Sequence, residues 1–203
     1  MTKQADASWL DLLSPDVLRK RLISCSLYIA AFHILKASII DRIKDFYLVA
    51  VDESGRVFSP DYVKEVLSRN TSPVHASLDW LKSNGVVEDT DIVIYSRLAD
   101  RRNILSHRLD QVILKNEFLE DLPTLFSELQ DLLKKIEVWW IVNLDIPITS
   151  ELPPIEIDEN AIIPGTLIAL QLMTTVAFGS DDEAKAYLNA YLIAKAAQAS
   201  RAT

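Results

Sequence analysis

SPDVLRKRLISCSLYIAAFHILKASIIDRIKDFY, residues 14–47, decides the fold class. Its apolar positions are Val17, Leu18, Leu22, Cys25, Tyr28, Ile29, Phe32, Leu35, Ile39, Ile43 and Phe46. They recur at intervals of three and four, which keeps one side of a helix apolar. Ser14 and Pro15 form a start signal. Serine can accept a free N–H at the N-cap, and proline in the first turn loses no hydrogen bond. Asp16 follows, favourable at the positive end of the helix. The spacing predicts one long amphipathic helix from Pro15 to about Tyr47, ending in a polar loop, VDESGR, around Gly55.

The same start chemistry recurs at Ser59-Pro60 and Ser72-Pro73. A short helix is expected from Pro60 to about Asn70. A second runs from Pro73 to about Asn84 and stops at Gly85, a residue suited to the turn after a helix. Asp89 to about His107 reads as helix through Ile92, Ile94, Tyr95, Leu98, Ile104 and Leu105. Ile92–Tyr95 alone would pass for a strand, but its flanks keep the helical period. A further long helix begins at Glu117 or Leu122 and reaches about Leu144. Four prolines, Pro147, Pro153, Pro154 and Pro164, then make residues 146–165 a linker or surface arm. Beyond it come a helix over 165–178 and an alanine-rich one from Ser180, opened by the capping box Ser180-Asp181-Asp182-Glu183. The expected architecture is all-α: an antiparallel helical bundle over 15–147, followed by a C-terminal arm and two-helix appendage over 148–203. Leu167, Leu170, Leu172 and Met173 are expected to be buried against the bundle or a partner chain.

Composition agrees and excludes other classes. Of 203 residues, 49% are hydrophobic and only 4 are glycine, which argues against both a disordered chain and an all-β protein rich in tight turns. Lys and Arg total 21 against 29 Asp and Glu, a net charge of −8, so any nucleic-acid site must be a local basic patch. The single cysteine, Cys25, lies in an apolar run and reads as a buried thiol in a reducing compartment. The three histidines are far apart, and no metal-binding spacing or Gly-rich phosphate loop occurs, so no metal and no cofactor is expected. The polar start MTKQADASWLDLL has no secretory hydrophobic region, which points to the cytoplasm. Residues 161–179 are apolar, but Pro164 and Gly165 interrupt their start. What remains is short of the roughly 20 residues that span a bilayer, so no membrane association is expected.

One stretch concentrates positive charge in this acidic chain: Ser96-Arg-Leu-Ala-Asp-Arg-Arg-Asn-Ile-Leu-Ser-His-Arg-Leu109. It holds Arg97, Arg101, Arg102 and Arg108 together with His107. Asn103 and His107, four apart, share a helix face. Arg102 and His107 are about 140° apart on a straight helix. They converge only if the helix ends or bends near His107, or if two copies meet across a two-fold axis. An arginine and a histidine are a sufficient pair for cutting RNA without metal. The imidazole takes the ribose 2′-OH proton near neutral pH, and the guanidinium holds the phosphate and its growing charge. Asn103 would orient the imidazole or the phosphate. Arg97, Arg101, Arg108 and Ser106 are the candidate substrate contacts. Ser106 and His107 are neighbours whose side chains point apart, which argues against a serine hydrolase.

The stretch Arg102-Asn103-Ile104-Leu105-Ser106-His107 resembles the motif of the HEPN (higher eukaryotes and prokaryotes nucleotide-binding) family: an arginine, often followed by Asn or another polar residue, four to six residues, then histidine. The resemblance covers about residues 15–145. It implies a helical bundle that is commonly a homodimer, with the arginine and histidine lining a cleft between copies. Many members are metal-independent endoribonucleases of toxin–antitoxin, phage-defence or RNA-processing systems, so an antitoxin protein is an implied partner. Members paired with a nucleotidyltransferase antitoxin often carry tyrosine two residues after the histidine; here that position is Leu109, which argues against regulation of that kind.

Other readings stay open at this point. The arginines would serve equally as solvated residues offsetting Asp100 and Asp110, and His107 as a favourable charge at a helix C-terminus. A bundle that binds RNA, nucleotide or a protein without cutting is the alternative function, and a plain helical interaction protein is a third. His33 reads as a core-edge residue, His75 as a surface one, and Trp139-Trp140 as packing rather than a base-stacking platform.

Overall fold

The computed structural model describes residues 13–53, 55–114, 119–149 and 157–201. It is mostly helical, 81% helix, as the period of the long first segment requires. The chain divides into two compact units, Met1–Pro164 and Gly165–Thr203.

In the first unit, helix α1 (Pro15–Phe46) is the central element. It packs against α2 (Pro73–Ser83), α3 (Asp89–His107) and α5 (Leu122–Trp140). Its stripe Leu35, Ile39 and Ile43 is fully buried, with Leu81, Leu98, Leu129, Leu133 and Ile136 also in the core. Each such side chain contributes about 1.5–3 kcal/mol by leaving water. Cys25 is buried as expected. A short helix α4 (Leu109–Leu114) follows α3 at once. Possible starts at Glu117 lie outside the described residues.

An aromatic cluster closes one region of this unit. The Trp80 and Trp140 rings stack at 5.9 Å and 9°, and Trp139 meets both edge-on. Trp80 Nε1 donates to the Tyr47 hydroxyl at 3.2 Å, and that hydroxyl donates to Glu65 at 2.7 Å. The two tryptophans are thus packing residues. A buried hydrogen bond ties α1 to α5, Ser38 Oγ donating to Glu137 Oε1 at 2.6 Å, and the part-buried Arg42 pairs with Asp145, just beyond α5, at 2.6 Å.

Four local expectations are corrected. Residues after Tyr47 form a hairpin, not only a loop: β1 (Leu48–Asp52) pairs antiparallel with β2 (Gly55–Phe58). Val49, Val51 and Val57 favour extended backbone, and Gly55 takes φ 115°, open to glycine at little cost. The short helix after Pro60 is drawn out into a π turn (Tyr62–Val66) and a 3₁₀ turn (Leu67–Arg69). The Ser14 and Ser72 hydroxyls make no cap bond; Ser72 Oγ lies 3.0 Å from His75 Nδ1 instead. Only Ser59 Oγ, of the three Ser-Pro serines, accepts a backbone N–H, that of Asp61 at 3.2 Å. Finally, α5 does not stop near Leu144. It runs on through a π turn (Ile141–Asp145) into α6 (Ile146–Thr149).

The second unit is a pair of helices, α7 (Gly165–Phe178) and α8 (Asp181–Arg201). The expected capping box is present: Ser180 N–H donates to Glu183 Oε2 at 2.7 Å and Glu183 N–H to Ser180 Oγ at 3.3 Å. These bonds hold the exposed Glu183 carboxyl below its ordinary range. Of the four α7 residues expected to be buried, only Leu170 is; Leu172 is 38% exposed, and Leu167 and Met173 are half-buried. Pro15–Phe46 and Glu159–Phe178 are each long and apolar enough to cross a membrane by length and composition alone, but the first is a core helix here. The regular helix α7 has 14 residues, about 21 Å long and short of a 30 Å hydrocarbon core.

Candidate functional site

Helix α3 carries the Arg/His stretch. Its start is well made: Glu88 N–H donates to Asp91 Oδ2 at 2.8 Å in a reciprocal capping box. Tyr95, Leu98, Arg102 and Leu105 fall at i, i+3, i+7 and i+10, one face of the helix. Tyr95, Leu98 and Leu105 are buried, so Arg102 occupies a position that packing would assign to an apolar residue. That face is turned to α1, and Tyr28 Oη donates across to the Leu98 carbonyl at 3.1 Å. Burial pushes the Tyr28 hydroxyl well above its ordinary pKa.

The Arg102 guanidinium lies 5.3 Å from the centre of the Phe32 ring, which is itself 5.5 Å from Tyr95. Such a cation over a ring face is attracted by about 0.5–2 kcal/mol. Burial raises Tyr95 to about 12, and the nearby Arg102 charge opposes that rise. Arg102 Nη1 donates to Asn103 Oδ1 at 3.0 Å, while Nε is buried with no hydrogen-bond partner. Among the described residues no carboxylate pairs with Arg102.

The other arginines have protein partners. Arg97 pairs with Glu128 on α5, and Arg101 pairs with Asp121 at 2.5 Å, at the start of α5. Arg108 Nε donates to Gln111 Oε1 at 3.1 Å. The ion pairs tie α3 to α5 across elements.

His107 is the last residue of α3 and is exposed, as are Ser106 and Asn103. The Arg108 N–H still bonds the Ile104 carbonyl at 2.9 Å before the chain turns into α4. The structure therefore brings Arg102 and Asn103 together. Within one chain no hydrogen bond joins either of them to His107. Arg102 faces α1, and His107 faces solvent, about 140° round the helix. His75 is exposed, as expected; His33 is exposed too, rather than at the edge of the core, its ring 6.5 Å from that of Phe32.

Sequence reasoning missed the Phe32–Tyr95 platform. The signal was present in the spacing of Tyr95 to Arg102, seven residues and so one face. Among the described residues no group of three or more His, Cys, Asp or Glu side chains converges on a metal-sized site. No family model, curated protein or solved structure matches this chain.

Chemically, the arrangement offers a guanidinium held against a ring and an amide, with capacity left for an anion. One and a half turns away is an accessible imidazole.

Proposed function

We propose that this protein is a HEPN-like, metal-independent endoribonuclease acting as a homodimer, with Arg102, Asn103 and His107 as its catalytic residues. The observation that carries the reading is Arg102: a guanidinium without a carboxylate partner among the described residues, set over Phe32 on an otherwise apolar face, five residues before the exposed His107. A cation so placed without compensation is suited to receiving a phosphate. In the proposed reaction His107 takes the ribose 2′-OH proton. The 2′ oxygen attacks the adjacent phosphorus, and the bond to the 5′ oxygen breaks. That oxygen leaves with a proton supplied by the second His107 of the dimer or by water. The products are a 2′,3′-cyclic phosphate and a 5′-hydroxyl end. Arg102 bears the charge that grows on the phosphate oxygens. Because the two side chains diverge by about 140° on one helix, one cleft would use Arg102 and His107 from two chains.

The test is cleavage of single-stranded RNA by purified protein in EDTA. The expected result is cyclic-phosphate products with wild type and none with His107→Ala. Equal cleavage by the two proteins refutes the reading. A second reading, RNA or nucleotide binding without cleavage in a toxin–antitoxin or phage-defence setting, draws on the net charge of −8 and the neutralised Arg97 and Arg101. Binding lost in Arg102→Ala, with no cleavage by wild type, would select it.

A further inference from the structure

We infer that His33 is the general acid of the proposed cleft: its imidazolium gives a proton to the 5′ oxygen that leaves when RNA is cut. The inference rests on the reading of Arg102 and His107 as an RNA-cleaving centre and names the residue that completes it.

Helices α1 and α3 run antiparallel, Tyr28 meeting Leu98 and Phe32 meeting Tyr95. A helical side chain leans toward the N-terminus of its own helix, so Arg102 reaches back along α3 to the Phe32 ring. His33 stands at the same ring, its centroid 6.5 Å from that of Phe32. Arg102 is 5.3 Å from that ring, so the imidazole and the guanidinium are no more than about 12 Å apart. A phosphate bridging the two, with a hydrogen bond of about 3 Å on each side, spans about 10 Å. Round α1, His33 is about 100° from Phe32, on the side away from Ser38, which faces α5. It is therefore exposed at the rim where α1 meets α3, while Phe32 beneath is buried.

The cut needs a proton donor as well as a base. In-line attack sets the entering 2′ oxygen and the leaving 5′ oxygen on opposite sides of phosphorus, so the His107 that takes the first proton is not placed to give the second. Near the guanidinium the choice is narrow. Arginine does not release a proton, and Asn103 has none to release. Tyr95 is buried and its pKa is raised to about 12. Tyr28 is buried and commits its hydroxyl to the Leu98 carbonyl. His33 is exposed, and among the described residues its ring nitrogens meet no hydrogen-bond partner or carboxylate. Imidazole is also the side chain that exchanges protons near neutral pH. As the P–O5′ bond breaks, its electron pair stays on the oxygen, which takes the His33 proton. His33 is left neutral, and His107 carries the proton from the 2′-OH. Each cleft then draws its acid and its arginine from one copy and its base from the other.

The test uses full-length protein and one single-stranded RNA in two forms: unmodified, and with sulfur in place of the 5′ oxygen at the phosphate that wild type cuts. A thiolate leaves without a proton, so only the unmodified RNA needs the acid. His33→Gln should slow cleavage of unmodified RNA by about 100-fold or more, and of the sulfur form by less than about 10-fold. His107→Ala should lose both. Wild-type cleavage of unmodified RNA by His33→Gln, or an equal loss on both forms, overturns the inference and leaves the His107 reading standing. Wild type that cuts no RNA overturns both.

Discussion

Replacing Arg102 by leucine should stabilise the protein while destroying its function. The substitution forfeits the Arg102–Phe32 contact, about 0.5–2 kcal/mol, and the bond to exposed Asn103, about 0.5–1 kcal/mol. It also removes a buried Nε–H that has no acceptor, a group that costs about 1–3 kcal/mol when left unpaired. Leucine completes the stripe of Tyr95, Leu98 and Leu105 and adds about 1–2 kcal/mol of apolar burial. The balance favours leucine by about 1 kcal/mol, which for a chain of this size raises the melting temperature by about 2–4 °C. Under the proposed mechanism, losing the guanidinium should cost about 2–4 kcal/mol of transition-state stabilisation, a fall of about 30- to 1,000-fold in RNA cleavage. Thermal unfolding followed by circular dichroism and the cleavage assay together read both effects. Opposite movement of stability and activity is the signature of a residue kept for function. A melting temperature several degrees below wild type would show that Arg102 anchors α3 to α1, and the reasoning would fail at its first step.

Two further outcomes test the rest of the frame. Glu137→Ala strands the buried Ser38 hydroxyl, now 2.6 Å from its acceptor, and removes an anion 4.0 Å from Arg42 Nε; it should cost about 2–4 kcal/mol in urea unfolding, and Glu137→Gln, which keeps an acceptor, clearly less. Tyr95 rises in the fold from 10.0 to about 12, so the folded state holds the phenol proton more tightly than the unfolded chain. The resulting stability, about 2–3 kcal/mol, is present in full below pH 10 and is lost as pH rises toward 12. Tyr95→Phe should therefore shift alkaline unfolding to higher pH while leaving stability at pH 7 little changed.

The helices were legible because their signals are local. Pro15, Gly85, Asp89, His107, Gly165 and the Ser180–Glu183 box mark ends by backbone chemistry within a few residues, and the period of three and four marks which side is buried. The arginine–histidine stretch stood out for the same reason, as charge against an acidic background. The hairpin was missed because strand preference depends on pairing: Val49 and Val51 are an exposed run until Val57 and Arg56 lie beside them. The roles of the arginines could not be read locally either. Arg97 and Arg101 find their acids about 31 and 20 residues away, on and before α5, while Arg102 finds the Phe32 ring 70 residues earlier. Propensity, capping and amphipathic period act along the chain, so the sequence by itself determined that this protein is helical and where most of its long helices begin. Ion pairing and ring contact act through space, so only tertiary structure decided that Arg97 and Arg101 pair with carboxylates while Arg102 lies over the Phe32 ring.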